Sequence, residues 1–272
     1  MKQFQLTMKD LCMTNLKHPG IKLIRKNTIF YVLTCCIIFI LKYHYSQASC
    51  NNLAWMLSPT ATLVEFVTGI DFLYEPQTGF ISHQCHIIIA PACAGVNFMI
   101  TALGLTAFSG FSHMIGKHKF LWLIASVLWA YSVTLCVNTL RIMISIFTYQ
   151  STLFGGYLTW ERIHRLEGIF IYCIALYGVH AIVRMGVRYY GHALNSKKII
   201  STPSAFFSES TAIWIGITPL IWYIGLTIII PVLNGAYKKN TSMFIEHCLM
   251  VFLISGMCWG GTVLFHKLRN RE

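Results

Sequence analysis

Long uninterrupted apolar runs, not alternation at period two, set the pattern of this chain. Five windows, 92–115, 120–140, 167–184, 212–235 and 243–265, match or nearly match a membrane span, which needs about 20 mainly apolar residues. A sixth, 28–45, has its apolar heart between Ile29 and Leu41 and is followed by Lys42, whose long stem can snorkel to the interface. Two segments are mixed. Residues 53–70 carry Pro59, Glu65 and Gly69, and residues 142–158 carry Gln150 and the Gly155-Gly156 pair. The pattern predicts an all-α polytopic transmembrane helical bundle, with six firm spans plus two re-entrant or interfacial helices and at most eight spans. Between 71 and 91 it changes to turn residues, Pro76 and Gly79, and short β-branched runs ending Ile87-Ile88-Ile89-Ala90-Pro91. That is the signature of a loop leading into a helix. The chain divides into a basic segment 1–27, a membrane-embedded core 28–184, a basic loop 185–198 and further spans within 199–272.

Composition agrees with this pattern. Hydrophobic residues make up 56% of the 272 and charged residues 11%, against about 25% charged in a soluble domain. A net charge of +12 would suit nucleic acid, but the placement of the cations points to a bilayer. With both termini in the cytoplasm, the cytoplasmic pieces 1–26, 116–119, 184–198 and 266–272 hold 15 of the 21 Lys and Arg residues, as positive-inside topology requires. No Lys or Arg lies between Tyr43 and Gly116, where Glu65, Asp71 and Glu75 occur; that stretch is assigned to the outside. Six cations precede the first span, but Lys42-Tyr43-His44-Tyr45 is unlike a signal-peptide cleavage region, so the span is read as uncleaved.

On this topology three polar groups reach the outer face. Pro91-Ala92-Cys93-Ala94-Gly95 opens the span 92–115. Pro suits a first helical turn, which places Cys93 at a helix N-terminus, where a thiolate is favoured and free N–H groups of Ala94 and Gly95 could hold an oxyanion. Asn138-Thr139-Leu140-Arg141 closes the span 120–140, and an arginine in an apolar stretch should face a polar cavity. Glu161-Arg162-Ile163-His164-Arg165-Leu166-Glu167-Gly168 precedes the span 167–184. A Cys, an Arg and a His on one membrane face form the inventory of a cysteine transpeptidase or protease. Taken singly, each has an ordinary alternative: a buried cysteine, a snorkelling arginine, an interfacial histidine.

At these residues the chain resembles the exosortase/archaeosortase family, and most of all the exosortase K subgroup. The resemblance rests on Cys93-Ala94-Gly95, on Asn138-x-x-Arg141, on His164-x-x-x-Gly168, and upstream on the run 57–64 with Thr68-Gly69. It covers roughly 29–184. Two departures stand out: Ala94 replaces the family's serine, and a histidine, with Arg165 beside it, stands where archaeal relatives have arginine. The resemblance implies an enzyme of the bacterial cytoplasmic (inner) membrane with its site facing the periplasm. Its partners would be exported proteins carrying a C-terminal sorting signal: a short motif (Pro-Glu-Pro in the best-known case), a transmembrane helix and a basic tail. Cleavage would pass through an acyl-thioester on Cys93, with Arg141 stabilising the oxyanion and His164 as acid/base. Ala94, Gly95, Asn138, Arg162 and Arg165 would support the site or bind substrate, with Arg162 and Arg165 attracting an acidic group and Glu161 or Glu167 orienting His164. The family is associated with exopolysaccharide production and protein sorting.

The rival from another class is a transporter or lipid-handling protein with Arg141 and His164 lining a polar pathway. It needs polar residues near the bilayer midplane, of which Glu246 is the clearest. A third reading is a non-enzymatic assembly subunit with an unreactive Cys93. Neither cofactor nor metal is expected: the ten cysteines show no CxxC, and His83, Cys85 and His86 are too close in sequence for sensible coordination. Cys50 and Cys85 share the outer stretch and could pair there.

Overall fold

The computed structural model describes residues 19–84, 87–150, 159–195, 212–233 and 235–269. It is built of helices: α1 (Pro19–Gln47), α2 (Ala54–Thr68), α3 (Val96–Phe111), α4 (His118–Gln150), α5 (Trp160–Asn195), α6 (Ala212–Ile224), α7 (Ile230–Leu233) and α8 (Thr241–Arg269). Five helical stretches, including all or most of α1, α3, α4, α5 and α8, are long and apolar enough to cross a membrane. Their outward faces are lined by large apolar side chains such as Phe39, Leu128, Phe147 and Leu253, as expected where hydrocarbon is the solvent and the backbone must satisfy itself. α6 and α7 are joined through a π turn, Gly225–Ile229. Pro231 follows after Ile230; it has no N–H for the preceding turn, and local widening is a usual way for a helix to absorb that loss.

α3 is the hub. Most of its residues are buried, and glycines let its neighbours approach: Trp222 of α6 lies against Gly104, and the Trp122 indole of α4 against Gly110. Small residues at such crossings are how membrane helices pack closely. The two ends of the bundle are distinct. At one end Lys119 donates to Asn27, Phe30 packs on Phe111 at 5.5 Å, and His118 meets Tyr190 at 5.8 Å. The other end gathers the C-terminus of α1, the lead-in to α3, the last turns of α4 and the first turns of α5 and α8.

Two differences from expectation matter, in α4 and in the loop, while the short helix expected within 53–70 is found. The segment 142–150 forms no separate helix; it continues α4, because Ile142–Tyr149 contains no Pro or Gly to stop it. Arg141 therefore lies inside a helix and not at its end. Residues 151–158, with the Gly pair, lie outside the described residues. α2 does form, with 15 residues, or about 22 Å at 1.5 Å per residue, short of a hydrocarbon core of about 30 Å. Finally, the loop holds a small antiparallel sheet in the order β1 (Leu73–Glu75), β2 (Gly79–Ser82), β3 (Ile87–Ile89), pairing Leu73 with Ile81 and Phe80 with Ile89. Buried Ile89 anchors β3 and delivers the chain directly to Pro91. Cys50 donates its thiol to the Gln77 carbonyl at 3.4 Å; its pairing with Cys85 lies outside the described residues, as do Cys85 and His86 themselves. His83 sits 4.0 Å from Glu75. Residues 1–18 and all the residues joining α5 to α6 are also outside.

Candidate active site

Pro91–Cys93 forms a 3₁₀ turn, so Cys93 sits just ahead of α3 and not within its first turn. Gly95 caps the helix in the left-handed conformation, φ +72°, which side chains with a Cβ rarely adopt. A Cβ there would also come within 3.1 Å of Thr134 and 3.2 Å of Asn138 on α4. The expected oxyanion donors change accordingly. The Ala94 N–H is already bonded to the Pro91 carbonyl at 3.1 Å, and the Ala94 methyl is fully buried. The Gly95 N–H has no protein acceptor among the described residues, and the first N–H groups of α3 have none inside their own helix.

Five side chains close a ring around this turn. Asn138 Nδ2 donates to the Cys93 carbonyl at 2.6 Å. Tyr172 donates its hydroxyl to Asn138 Oδ1 at 3.1 Å, and Arg141 Nη1 donates to that hydroxyl at 3.2 Å. Arg141 Nη2 lies 2.7 Å from His164 Nε2, and His164 Nε2 lies 3.7 Å from Cys93 Sγ. The helices supply these groups by simple periodicity. Asn138, Arg141 and Ser145 are spaced three and four apart on one face of α4, and His164, Gly168 and Tyr172 four apart on α5, the spacings that share a helix face.

Arg141 is 8% exposed and Asn138 0%. The guanidinium lies 5.4 Å over the Tyr172 ring, which Phe98 stacks from α3 at 4.9 Å. Among the described residues no carboxylate pairs with Arg141, and its Nε is buried without an acceptor. Gly168 explains how so large a group fits: a Cβ at that position would stand 2.9 Å from Arg141 Nε and 3.3 Å from Cζ. Gly168→Ala is therefore expected to displace the guanidinium while leaving the helix intact. A shift of about 1 Å in a catalytic group can cost on the order of 10²-fold in rate. Processing assays beside a membrane-insertion assay check this; equal processing by the variant counts against a fixed role for Arg141.

Arg162 and Arg165 do not join the ring. Arg162 Nε is 2.7 Å from Glu246 Oε1 on α8, while Arg165 lies 3.8 Å from Glu161 and 3.9 Å from Glu246. Between His164 and Arg165, it is the histidine that faces the thiol. Glu246 sits near the N-terminus of α8, at the site's end of the bundle. Two further residues were not anticipated. Ser145 Oγ is 2.8 Å from His164 Nδ1 and donates to Glu167 Oε2 at 2.7 Å. Tyr172 links Arg141 to Asn138. Both could have been found by projecting the helices from Arg141 and His164 in steps of four. Lys42 of α1 donates to Asn97 Oδ1 at 2.7 Å, beside the first turn of α3. No group of three His, Cys, Asp or Glu suited to a metal occurs among the described residues.

Compared with family models, curated proteins and solved structures, the chain matches none.

Proposed function

We propose that the chain is a membrane-embedded cysteine protease or transpeptidase, similar to the exosortase/archaeosortase family, that cleaves C-terminal sorting signals of exported proteins on the outer side of the bacterial inner membrane. One observation carries this reading: a buried guanidinium with no carboxylate partner among the described residues shares an imidazole nitrogen with a half-buried thiol. A buried cation held only by neutral acceptors is costly in an apolar setting, and a site that develops negative charge in its transition state gives it a purpose. Arg141 releases the His164 Nε2 lone pair, which takes the Cys93 proton, and the sulfur adds to the scissile carbonyl. Arg141 turns toward the new oxyanion. Collapse expels the amine, which takes the proton back from His164 and leaves an acyl-thioester on Cys93. Water or an acceptor amine then releases the acyl group.

The placement of the site supports the outer side. Arg141 follows Lys119 by 22 residues in one helix, about 33 Å of rise, close to the hydrocarbon thickness. If Lys119 lies at the cytoplasmic interface, as the positive-inside reading has it, Arg141 would lie near the opposite one, with six spans if α6 and α7 cross together. The transporter reading loses its main candidate, because Glu246 belongs to the ion pairs at the helix ends. The test is co-expression with an exported reporter ending in a short motif, an apolar helix and basic residues. The proposal expects a reporter shortened by its C-terminal helix only when this protein is present. A reporter of unchanged length across a panel of such signals, in cells where the protein is inserted, counts against it.

A further inference from the structure

We infer that Ser145 and Glu167 are positioning residues that fix which nitrogen of His164 carries the proton; the catalytic consequence, though not the tautomer itself, rests on the protease reading above. The direction of the hydrogen bonds is forced from both ends. An arginine has donors only, so His164 Nε2, 2.7 Å from Arg141 Nη2, must present its lone pair. In the neutral ring the proton is then on Nδ1. At the other end a carboxylate only accepts, so the Ser145 hydroxyl gives its proton to Glu167 Oε2 at 2.7 Å. That leaves a Ser145 lone pair to accept from His164 Nδ1 at 2.8 Å. Each bond in the chain from Arg141 to Glu167 has one possible direction.

The result is an imidazole whose basic nitrogen lies 3.7 Å from Cys93 Sγ, its lone pair held by Arg141 until the guanidinium turns away. Arg141 Nη2 first gives up its bond to Nε2 and turns toward the reacting carbonyl; the thiol then transfers its proton, so the S–H bond breaks, the electron pair stays on sulfur and Nε2–H forms. Nδ1–H stays bonded to Ser145, and Glu167 stabilises the imidazolium through the hydroxyl without receiving a proton. The opposite tautomer would set an Nε2–H against the guanidinium and leave Cys93 without a base. Neither partner touches substrate, so their effect runs wholly through His164. The relay also joins Ser145 on α4 to Glu167 on α5, so the tautomer depends on how these two helices pack.

Nitrogen-15 spectroscopy of histidine-labelled protein in lipid nanodiscs tests this, with His164 assigned by its loss in His164→Asn. The wild type is expected to show a protonated Nδ1 and an unprotonated Nε2 at His164. Arg141 still favours an unprotonated Nε2, but Ser145→Ala leaves Nδ1–H without its acceptor and Glu167→Gln introduces a side chain that can donate as well as accept, so in both an Nε2–H form should appear beside the first, most plainly in an Arg141→Ala background. Ser145→Thr keeps the hydroxyl and should keep the wild-type pattern. Reporter processing should fall about 10- to 100-fold in the first two variants, the usual effect of losing an outer hydrogen-bond partner, through kcat and not KM, with Ser145→Thr close to wild type. Glu167→Gln changes one atom and guards against a folding artefact. A wild-type tautomer pattern in both Ser145→Ala and Glu167→Gln overturns the inference, as does an Nε2–H form in the wild type. Should Cys93→Ala process the reporter normally, the protease reading fails while the spectra still decide the tautomer.

Discussion

Replacing Cys93 with alanine should abolish processing of a co-expressed reporter while the protein still inserts in the membrane. The expected loss is the largest of any single change, on the order of 10⁴-fold or more, because covalent catalysis has no substitute once the nucleophile is gone. The structural cost should be small. Cys93 is only half-buried and packs against the edge of the core, and the turn that holds it is fixed by backbone contacts: its N–H to Ala90 at 2.8 Å and its carbonyl to Asn138 at 2.6 Å. Cys93→Ser keeps the shape but offers a poorer nucleophile, and it should be nearly as inactive. Normal processing by Cys93→Ala would remove the nucleophile from the account.

The second large effect is expected at Arg141. Lysine preserves the charge but not the planar fork that reaches Tyr172 and His164 together from two nitrogens, so the substitution is not conservative here. Loss of one oxyanion donor typically costs about 10²–10³ in kcat, or about 2.7–4 kcal/mol. Arg141→Lys should fall in that range and Arg141→Ala at or below its lower edge of activity. Because the guanidinium also bonds to the base, part of the loss belongs to His164, and the double variant Arg141→Lys with His164→Ala should lose less than the product of the two singles. The check is reporter processing in the two single variants and the double. Activity of Arg141→Lys within a few-fold of wild type would assign Arg141 to packing.

Much of this architecture could be read from residues alone. The apolar windows around 29–41, 92–115, 120–140, 167–184 and 243–265 are uninterrupted, and length plus hydropathy suffices for such helices. The boundary at 140 was misplaced because Arg141 looked like the end of a span; a helix has no need to stop at one polar residue when its neighbours supply acceptors. The strands at 73–89 show mixed alternation over three or four residues each, too short for a pattern to separate strand from loop. At the site, Cys93, Asn138, Arg141 and His164 were visible as polar groups in apolar surroundings. Glu167 was one of two acids that could orient His164; Ser145 and Tyr172 were not visible, since a serine and a tyrosine are common at helix ends. Their part emerges only when α4 and α5 are laid side by side. Gly168 was seen as a motif letter, and the packing supplies its reason: Arg141 occupies the space a side chain would fill.

The coupling of sulfur to imidazole is open to one direct measurement, the rate at which iodoacetamide alkylates Cys93 in the purified protein, followed by peptide mass spectrometry in wild type and His164→Ala. With His164 as the base, Cys93 in the wild type should be modified faster than buried Cys50 and Cys173, and at least about 10-fold faster than Cys93 in the variant, since the thiolate is the reacting species. Equal rates at Cys93 with and without the imidazole would contradict the account.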